Sequence, residues 1–534
     1  MVILVFVLLF SPFLSLAQGP PKCAMDGSVL SAESGQPLNK ARILLRRNQY
    51  AEPVAVAATD SQGRFFFADL APGRYLLDAE RNGYLAASYA ARTTRSTSSG
   101  IELTPGQHAR DVVIRMHPYG LISGRVTDED GELLEGVPVR LLRYRYRLGV
   151  KKIDVRATGQ TNDLGQYRFS NVAPGKYVVA AGDLSPISWG AADSEGRRLS
   201  NEGFAITFYP RSIDISGAVP IELASGTRTE GIDISLRRTR MATLSGRANL
   251  ASPERPNRSI QIHLSSPGNP LVSMSTAANQ DPDGSFELRG VPPGDYILHA
   301  DYETGGGKPL SAAQSITVAE SDLEGIRLMP GPGIDVSGRV RREGDAPTEF
   351  KGLQAWIEQV DRGSVDAGKI EPDGQFSLTG VRPDRYVVGV AGLPESGYVK
   401  AVRVGDAEWT EPALDLLQPP TSLDILLGTD AARVDGVVLD AGHGPVAGVM
   451  VLLAPDERKA VRRFATAKTD SYGHYVFKSV APGDYRLFCF DVLEDGVYFD
   501  PGFLPAREVA GEALQAGPKA QVTNELKCNI TAAR

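Results

Sequence analysis

The sequence predicts an all-β protein, a tandem array of five antiparallel Greek-key β-sandwiches. Three observations carry that expectation. The stretch T-D-S-Q-G-R-F-F-F-A-D-L-A-P-G-R-Y (59–75) recurs at 161–177, 280–296, 370–386 and 469–485. Its D-x-x-G glycine falls at Gly63, Gly165, Gly284, Gly374 and Gly473, so successive copies lie 102, 119, 90 and 99 residues apart. That spacing suits whole domains rather than solenoid repeats. Between the copies apolar residues alternate with period two, and helical periodicity is nearly absent.

Each unit is built in the same order. A first strand carries a central glycine: M-D-G-S-V-L (25–30), I-S-G-R-V (122–126), L-S-G-R-A (244–248), V-S-G-R-V (336–340) and V-D-G-V-V (434–438). A second strand alternates, as in A-R-I-L-L (41–45), V-P-V-R-L-L (137–142) and V-M-V-L-L (449–453). In the repeated stretch, Asp60 can accept backbone hydrogen bonds in a tight turn and Gly63 can take a positive φ, which predicts a hairpin. Phe65 and Phe67 then share one strand face, Arg64 points away, and Pro72-Gly73 has type II turn chemistry. Tyr75 and Leu77 open the next strand in phase. The fourth copy replaces the second glycine by Asp384, which tolerates the left-handed region at some cost. Closing strands follow at D-V-V-I-R-M (111–116), G-I-D-I-S-L (231–236), G-I-R-L-M (325–329) and V-T-N-E-L-K-C-N-I (522–530).

Length and composition agree with this partition. A chain of 534 residues exceeds one hydrophobic core, and 42% hydrophobic with 23% charged residues is ordinary globular composition. The net charge of -7 gives no reason to expect nucleic acid as a partner. Residues 1–17 are apolar and end in Ser15-Leu16-Ala17, as a cleaved export signal does, and no later transmembrane segment follows. The expected units are then 18–118, 119–239, 240–332, 333–430 and 431–534. The expected location is secreted, periplasmic or at the cell surface. Among three cysteines, Cys489 and Cys528 lie in phase with inward residues of the last unit; they bridge it, or both stay reduced and buried.

The ordered pattern G-x-V…T-D-x-x-G-x-[FY]-x-[FL]…P-G-x-Y resembles the carboxypeptidase regulatory-like domain, a transthyretin- or prealbumin-like, Ig-like sandwich also grouped with carbohydrate-binding-like folds. The resemblance spans nearly all of residues 23–530. I-T-F-Y-P-R-S (206–212), G-Y-V-K-A-V-R-V-G (397–405) and E-D-G-V-Y-F-D-P-G-F-L (494–504) make the chain similar to multi-repeat exported proteins of acidobacteria. The resemblance implies a sandwich fold, export and, through its fold grouping, carbohydrate as the leading ligand class.

A carboxypeptidase activity is not expected. The zinc enzymes that carry this accessory domain use His-x-x-Glu and a later His. Of His108, His117, His263, His299, His443 and His474, only His108 has an acid three residues on, and Asp111 there opens a strand. His263 and His299 lie within β-alternation and read as structural. No nucleophile motif is present, G-G-G-K-P (305–309) lacks the hydroxyl residue and helix of a phosphate loop, and no cofactor is expected. The first strands contain no lysine, which disfavours the isopeptide bond of related pilin and adhesin sandwiches.

Binding candidates remain. D-E-D-G-E (128–132), D-P-D-G (281–284) and E-P-D-G (371–374) read as turns more readily than as calcium loops. The strand R-L-L-R-Y-R-Y-R-L (140–148) pairs an arginine face with a tyrosine face. It could hold an acidic partner, or bury its tyrosines and solvate its arginines. Aromatics in non-repeated loops could stack on sugar: Trp189, Phe208, Tyr209, Trp409, Tyr498 and Phe499. Each could equally plug a joint between units. The expected partners are polysaccharide or an envelope protein, and the expected role is a non-enzymatic binding or spacer array. The alternatives are a structural component, or an accessory subunit to a separate peptidase or outer-membrane transporter.

Overall fold

In the computed structural model the described residues are 21–48, 51–89, 100–182, 202–250, 259–278, 284–304, 309–344, 350–360, 363–417, 422–491 and 493–528. The expected export signal (1–17), Trp189 and part of the 281–284 turn lie outside them. Nearly all regular structure is β, organised as five sandwiches. The chain divides into two compact units, residues 1–118 with one sandwich and 119–534 with four. Among the described residues no helix is long and apolar enough to cross a membrane.

The first sandwich shows the plan. One sheet orders Arg64–Leu70, Cys23–Ser31 and His108–Met116; the facing sheet orders Ala55–Ala58, Arg42–Arg46 and Gly73–Glu80, with short edge strands beyond. The inner faces meet in a core that includes Met25, Val29, Ile43, Leu45, Phe65, Phe67, Leu77 and Ile114. Every later sandwich repeats this order. The first and last strands run parallel in each, as Cys23–Ser31 does with His108–Met116 and Ala432–Leu439 with Gln521–Lys527. All other pairings in these two sandwiches are antiparallel.

The repeated stretch forms crossings between sheets rather than a hairpin. Ala55–Ala58 pairs with Arg42–Arg46, whereas Arg64–Leu70 pairs with Cys23–Ser31, so the turn at 60–63 carries the chain from one sheet to the other. Its chemistry is as expected: Gly63 has φ +71°, and Asp60 Oδ1 accepts from the amides of Gln62 and Arg64 at 2.8 Å each. Period-two alternation tells which residues share a face, but not which sheet the next strand joins. The preceding Thr59 is buried; its hydroxyl donates to Leu38 O and accepts from Ala41 N, tying this turn to the first crossing. Thr161 and Thr469 repeat the bond pair.

The Pro-Gly crossing also differs from a type II turn. Gly73, Gly175, Gly294 and Gly483 have φ between +133° and +157°, far from the roughly +80° of that turn. Asp384 has no positive φ. It stays buried and accepts from Gln359 Nε2 and from its neighbour's amide, so the fourth copy crosses by a different backbone path. A left-handed residue sits one position before the last apolar residue of the fourth strand in every copy: Asp69, Asn171, Gly290, Gly380 and Ser479, with φ between +56° and +76°. It marks a bulge, since pairing slips between Cys23↔Leu70 and Met25↔Phe67.

Two contacts recur in all five sandwiches. The motif tyrosine donates its hydroxyl to the carbonyl four residues earlier: Tyr75 to Ala71, Tyr177 to Ala173, Tyr296 to Pro292, Tyr386 to Arg382 and Tyr485 to Ala481, at 2.6–2.9 Å. The bond closes the crossing as a tyrosine corner does. The first-strand glycine faces the last strand's backbone. A Cβ on Gly27, Gly124, Gly246, Gly338 or Gly436 would stand 2.0–2.3 Å from a carbonyl oxygen there. Only glycine admits that approach.

A disulfide joins Cys489 to Cys528 in the last sandwich, with Cα atoms 5.5 Å apart, and Cys23 is a buried free thiol. Replacing both bridge residues by alanine should lower stability of this sandwich by about 4 kcal/mol, from the 39-residue separation. Gly27→Ala should cost about 3 kcal/mol or more, because the obstructing atom is backbone. Tyr485→Phe should cost only about 1–2 kcal/mol, one buried hydrogen bond. Denaturant unfolding of each variant checks the ranking.

Candidate functional site

Among the described residues, the longest hairpin is the one built from the Arg-Tyr strand. Pro138–Arg147 pairs along its length with Val150–Gln160, joined by Leu148 and Gly149, both at positive φ as a two-residue primed turn requires. Only Val139–Leu142 of the first strand also pairs with Gly175–Ala181. Residues 143–154 therefore project beyond their own sheet as an arm. Strand alternation sends Leu141 into the core of sandwich 2 and Leu142 to the outer face, and opposite them Arg156 is the extra residue of a bulge.

Within the 119–534 unit the arm reaches the three later sandwiches. Leu142, with Tyr144 and Ile153 beside it, packs into the cluster that contains the whole core of sandwich 3. Arg143 pairs with Glu494 of sandwich 5, and both side chains are largely buried. Tyr146 is buried, and its hydroxyl donates to Asp500 at 3.1 Å. Burial, and then the Asp500 carboxylate, push that phenol well above its usual pKa. Gly496 lies against the Tyr146 carbonyl so closely that a Cβ would stand 2.3 Å away. At the tip Arg147 pairs with Glu358 of sandwich 4, and Val150 packs with Val360, Ala413 and Val387. The cationic face thus meets acids of the same chain and the tyrosines are covered. Arg145 and Arg147 remain half exposed and bridge to Asp154 and Glu358.

The remaining aromatic candidates sit mostly in the same joints. Phe208 is fully buried in the cluster shared by sandwiches 2 and 3, and Tyr209 packs on the core of sandwich 2. Beside Phe208, Asn269 Nδ2 donates to the carbonyls of Ile206 and Ile213 across that joint. Tyr498 stacks on Phe464 at a ring separation of 5.6 Å, and Phe499 meets the same ring edge-on at 5.2 Å. They belong to residues 493–511, which cover the outer face of sandwich 5 over Leu452, Phe488 and Phe490. Burial, with Asp495 adding, pushes the Tyr498 phenol up to about 12. Trp409 follows the Tyr398–Val404 strand, partly buried, with its ring against the core of sandwich 4 and its indole nitrogen covered. Trp189 lies outside the described residues.

The acidic turn at 128–132 behaves as a turn. Asp128 is buried, its Oδ1 accepts from the amides of Asp130 and Glu132, and its Oδ2 meets Arg238 at 3.3 Å. Among the described residues no three His, Cys, Asp or Glu side chains gather as metal ligands would.

The recurring glycine, crossing turn and tyrosine corner give the first sandwich its place among known domains. Residues 24–117 match the carboxypeptidase regulatory-like domain family. The four sandwiches after this regulatory-like domain repeat its sheet order and its tyrosine bond. No curated protein sequence matches the chain. Among solved structures the chain is similar to the Bacillus anthracis TIE protein (12% identity, 72% of this chain and 68% of that one covered, TM-score 0.16). It is also similar to GBS52, the minor pilin of Streptococcus agalactiae (15%, 44% and 99%, TM-score 0.22). A third likeness is to two B repeat units of the collagen-binding protein of Staphylococcus aureus (10%, 77% and 100%, TM-score 0.14).

The Arg143–Glu494 pair gives a direct test of the arm. Arg143→Glu and Glu494→Arg should each destabilise sandwich 5 docking by about 3 kcal/mol, since each leaves a poorly solvated charge unpaired. The double swap should recover about 2 kcal/mol as a coupling energy. Limited proteolysis near residue 494 together with denaturant unfolding reads this out; additive effects in the double variant would contradict the pairing.

Proposed function

We propose that the chain is a non-enzymatic, exported array of the cell envelope, a braced spacer and binding module for extracellular polymer or a partner protein. The arm is the observation that carries this reading. Tandem sandwiches joined by short connections bend at each joint unless something spans them. Here one hairpin touches three neighbours, and local contacts reinforce the joints. Arg382 bridges to Asp301 and Glu303 between sandwiches 3 and 4; Lys478 bridges to Glu395 between sandwiches 4 and 5. Stiffness of this kind serves a protein that holds a surface at a distance. It contributes nothing to chemistry, which needs a concavity with converging groups.

Export is supported by the apolar first 17 residues and by the disulfide, which persists in oxidising compartments. Carbohydrate is the ligand class suggested by the fold grouping, an argument from analogy. Trp409 lies outside the repeated scaffold, partly buried against the core of sandwich 4, and the part of its ring that stays accessible is what it could offer to a sugar.

Fractionation of cells expressing the full chain should find it outside the cytoplasm, shortened by about 17 residues, with Cys489 and Cys528 oxidised. A full-length, reduced cytoplasmic chain contradicts export. In pull-downs on extracellular polysaccharide, Trp409→Ala should weaken retention about tenfold, the scale of one aromatic–sugar contact. A wild-type chain that binds no polysaccharide removes the glycan part and leaves the spacer role.

A further inference from the structure

The loop that receives the arm is closed by the disulfide. Cys489 stands near the end of the strand Gly483–Phe490 in one sheet of sandwich 5, and Cys528 follows the strand Gln521–Lys527 of the facing sheet. The bridge therefore ties the two sheets together at one end and encloses residues 490–527. Glu494 and Asp500, the acids that receive Arg143 and Tyr146, lie inside that loop. So does Gly496, which sits against the Tyr146 carbonyl. The chain leaves the sheet after Phe490 and rejoins it at Glu512, opposite Leu487. Between these points its described residues form two short 3-10 turns, Val497–Phe499 and Pro505–Ala510, and no strand.

A segment without strand partners is positioned by its ends and by side-chain packing. Cys489 fixes one end of this one, five residues before Glu494. Its side chain packs on the core of sandwich 5, whereas Phe488 and Phe490 on either side of it point to the outer face. There Phe503 of the cover meets Phe490 at a ring separation of 5.6 Å. The bridge thus holds from beneath the piece of strand that the cover packs on from above. With the bridge open, docking the arm must also order this loop; a covalent closure removes that entropic cost in advance. We propose that the Cys489–Cys528 bridge is a redox latch for the arm. Its closure completes the docking site for Arg143 and Tyr146, so sandwich 5 joins the braced body once the two thiols are oxidised. Closure proceeds by exchange with an external disulfide. One protein thiolate attacks it and expels a thiolate, and the second protein thiolate displaces the other half. The two protons lost by the cysteines end on the oxidant, which leaves as two thiols. The latch takes the bracing by the arm from the spacer reading, and it is tested on purified full chain, so its failure would leave export and polymer binding standing.

Hydrogen exchange on the full chain, oxidised and in dithiothreitol, tests the latch. Reduction should speed exchange of residues 143–147 and 493–511 about tenfold. The strands Ala432–Leu439 of sandwich 5 and Gly294–Tyr302 of sandwich 3 should stay protected. Cys489→Ser combined with Cys528→Ser should show the reduced pattern under both conditions. Coupling is reciprocal, so Arg143→Glu, with both cysteines in place, should make the bridge about tenfold easier to reduce in a glutathione buffer, a shift of about 30 mV for this two-electron couple. Exchange at 143–147 and 493–511 that is insensitive to reduction, loss of protection throughout sandwich 5, or one glutathione equilibrium shared by wild type and Arg143→Glu would each overturn the proposal.

Discussion

A strand that alternates arginine with tyrosine has two faces that water treats differently. Once it extends beyond its own sheet, each face must find a separate environment. The hairpin 138–160 solves this inside the chain. Its tyrosines are covered by sandwiches 3 and 5, and Arg143 and Arg147 reach glutamates on sandwiches 5 and 4. The arrangement of the 119–534 unit depends on that solution. A largely buried Arg–Glu pair adds little net stability over an apolar contact, but removing one partner is expensive. It therefore specifies one docking geometry, while apolar contacts such as Val150 on Val360 and Val387 supply the attraction.

Within each sandwich a second constraint operates, at the middle of the first strand. The last strand comes so close that only glycine fits, and the aromatic residue of the fourth strand closes over the same spot, as Phe65 does at Gly27 and Phe376 at Gly338. The tyrosine corner then fixes the crossing back to the other sheet. Five copies of one stretch are thus five copies of a folding device. The residues that differ between sandwiches, the arm and the 493–511 cover, do the joining.

Much of this could be read from residues alone, and the misses have physical causes. The number of sandwiches, the strands and their inward faces follow from period two and from glycine spacing. Alternation carries no information on strand partners, so the D-x-x-G turn reads as a hairpin in the sequence although it crosses between sheets. The tyrosine corner left a signal: Tyr75, Tyr177, Tyr296, Tyr386 and Tyr485 are all tyrosine, whereas the fourth-strand position varies between Phe65, Phe286, Phe376 and Tyr167, Tyr475. A position that keeps the hydroxyl uses it. The arm left a signal in the strict arginine–tyrosine alternation of residues 143–147, followed by Leu-Gly, in a strand of ten residues, twice the length of Arg42–Arg46. Its partners left none, because Glu358, Glu494 and Asp500 lie hundreds of residues away.

The central claim is that sandwiches 2 to 5 are held as one cooperative body by the arm. Native-state hydrogen exchange across residues 119–534 tests it most directly. The account predicts that the slowest amides of the strands Gly175–Ala181, Gly294–Tyr302, Arg385–Ala391 and Gly483–Phe490 share one opening free energy and one denaturant dependence. Four separate opening energies, one per sandwich, would show that each domain unfolds alone and would contradict the bracing.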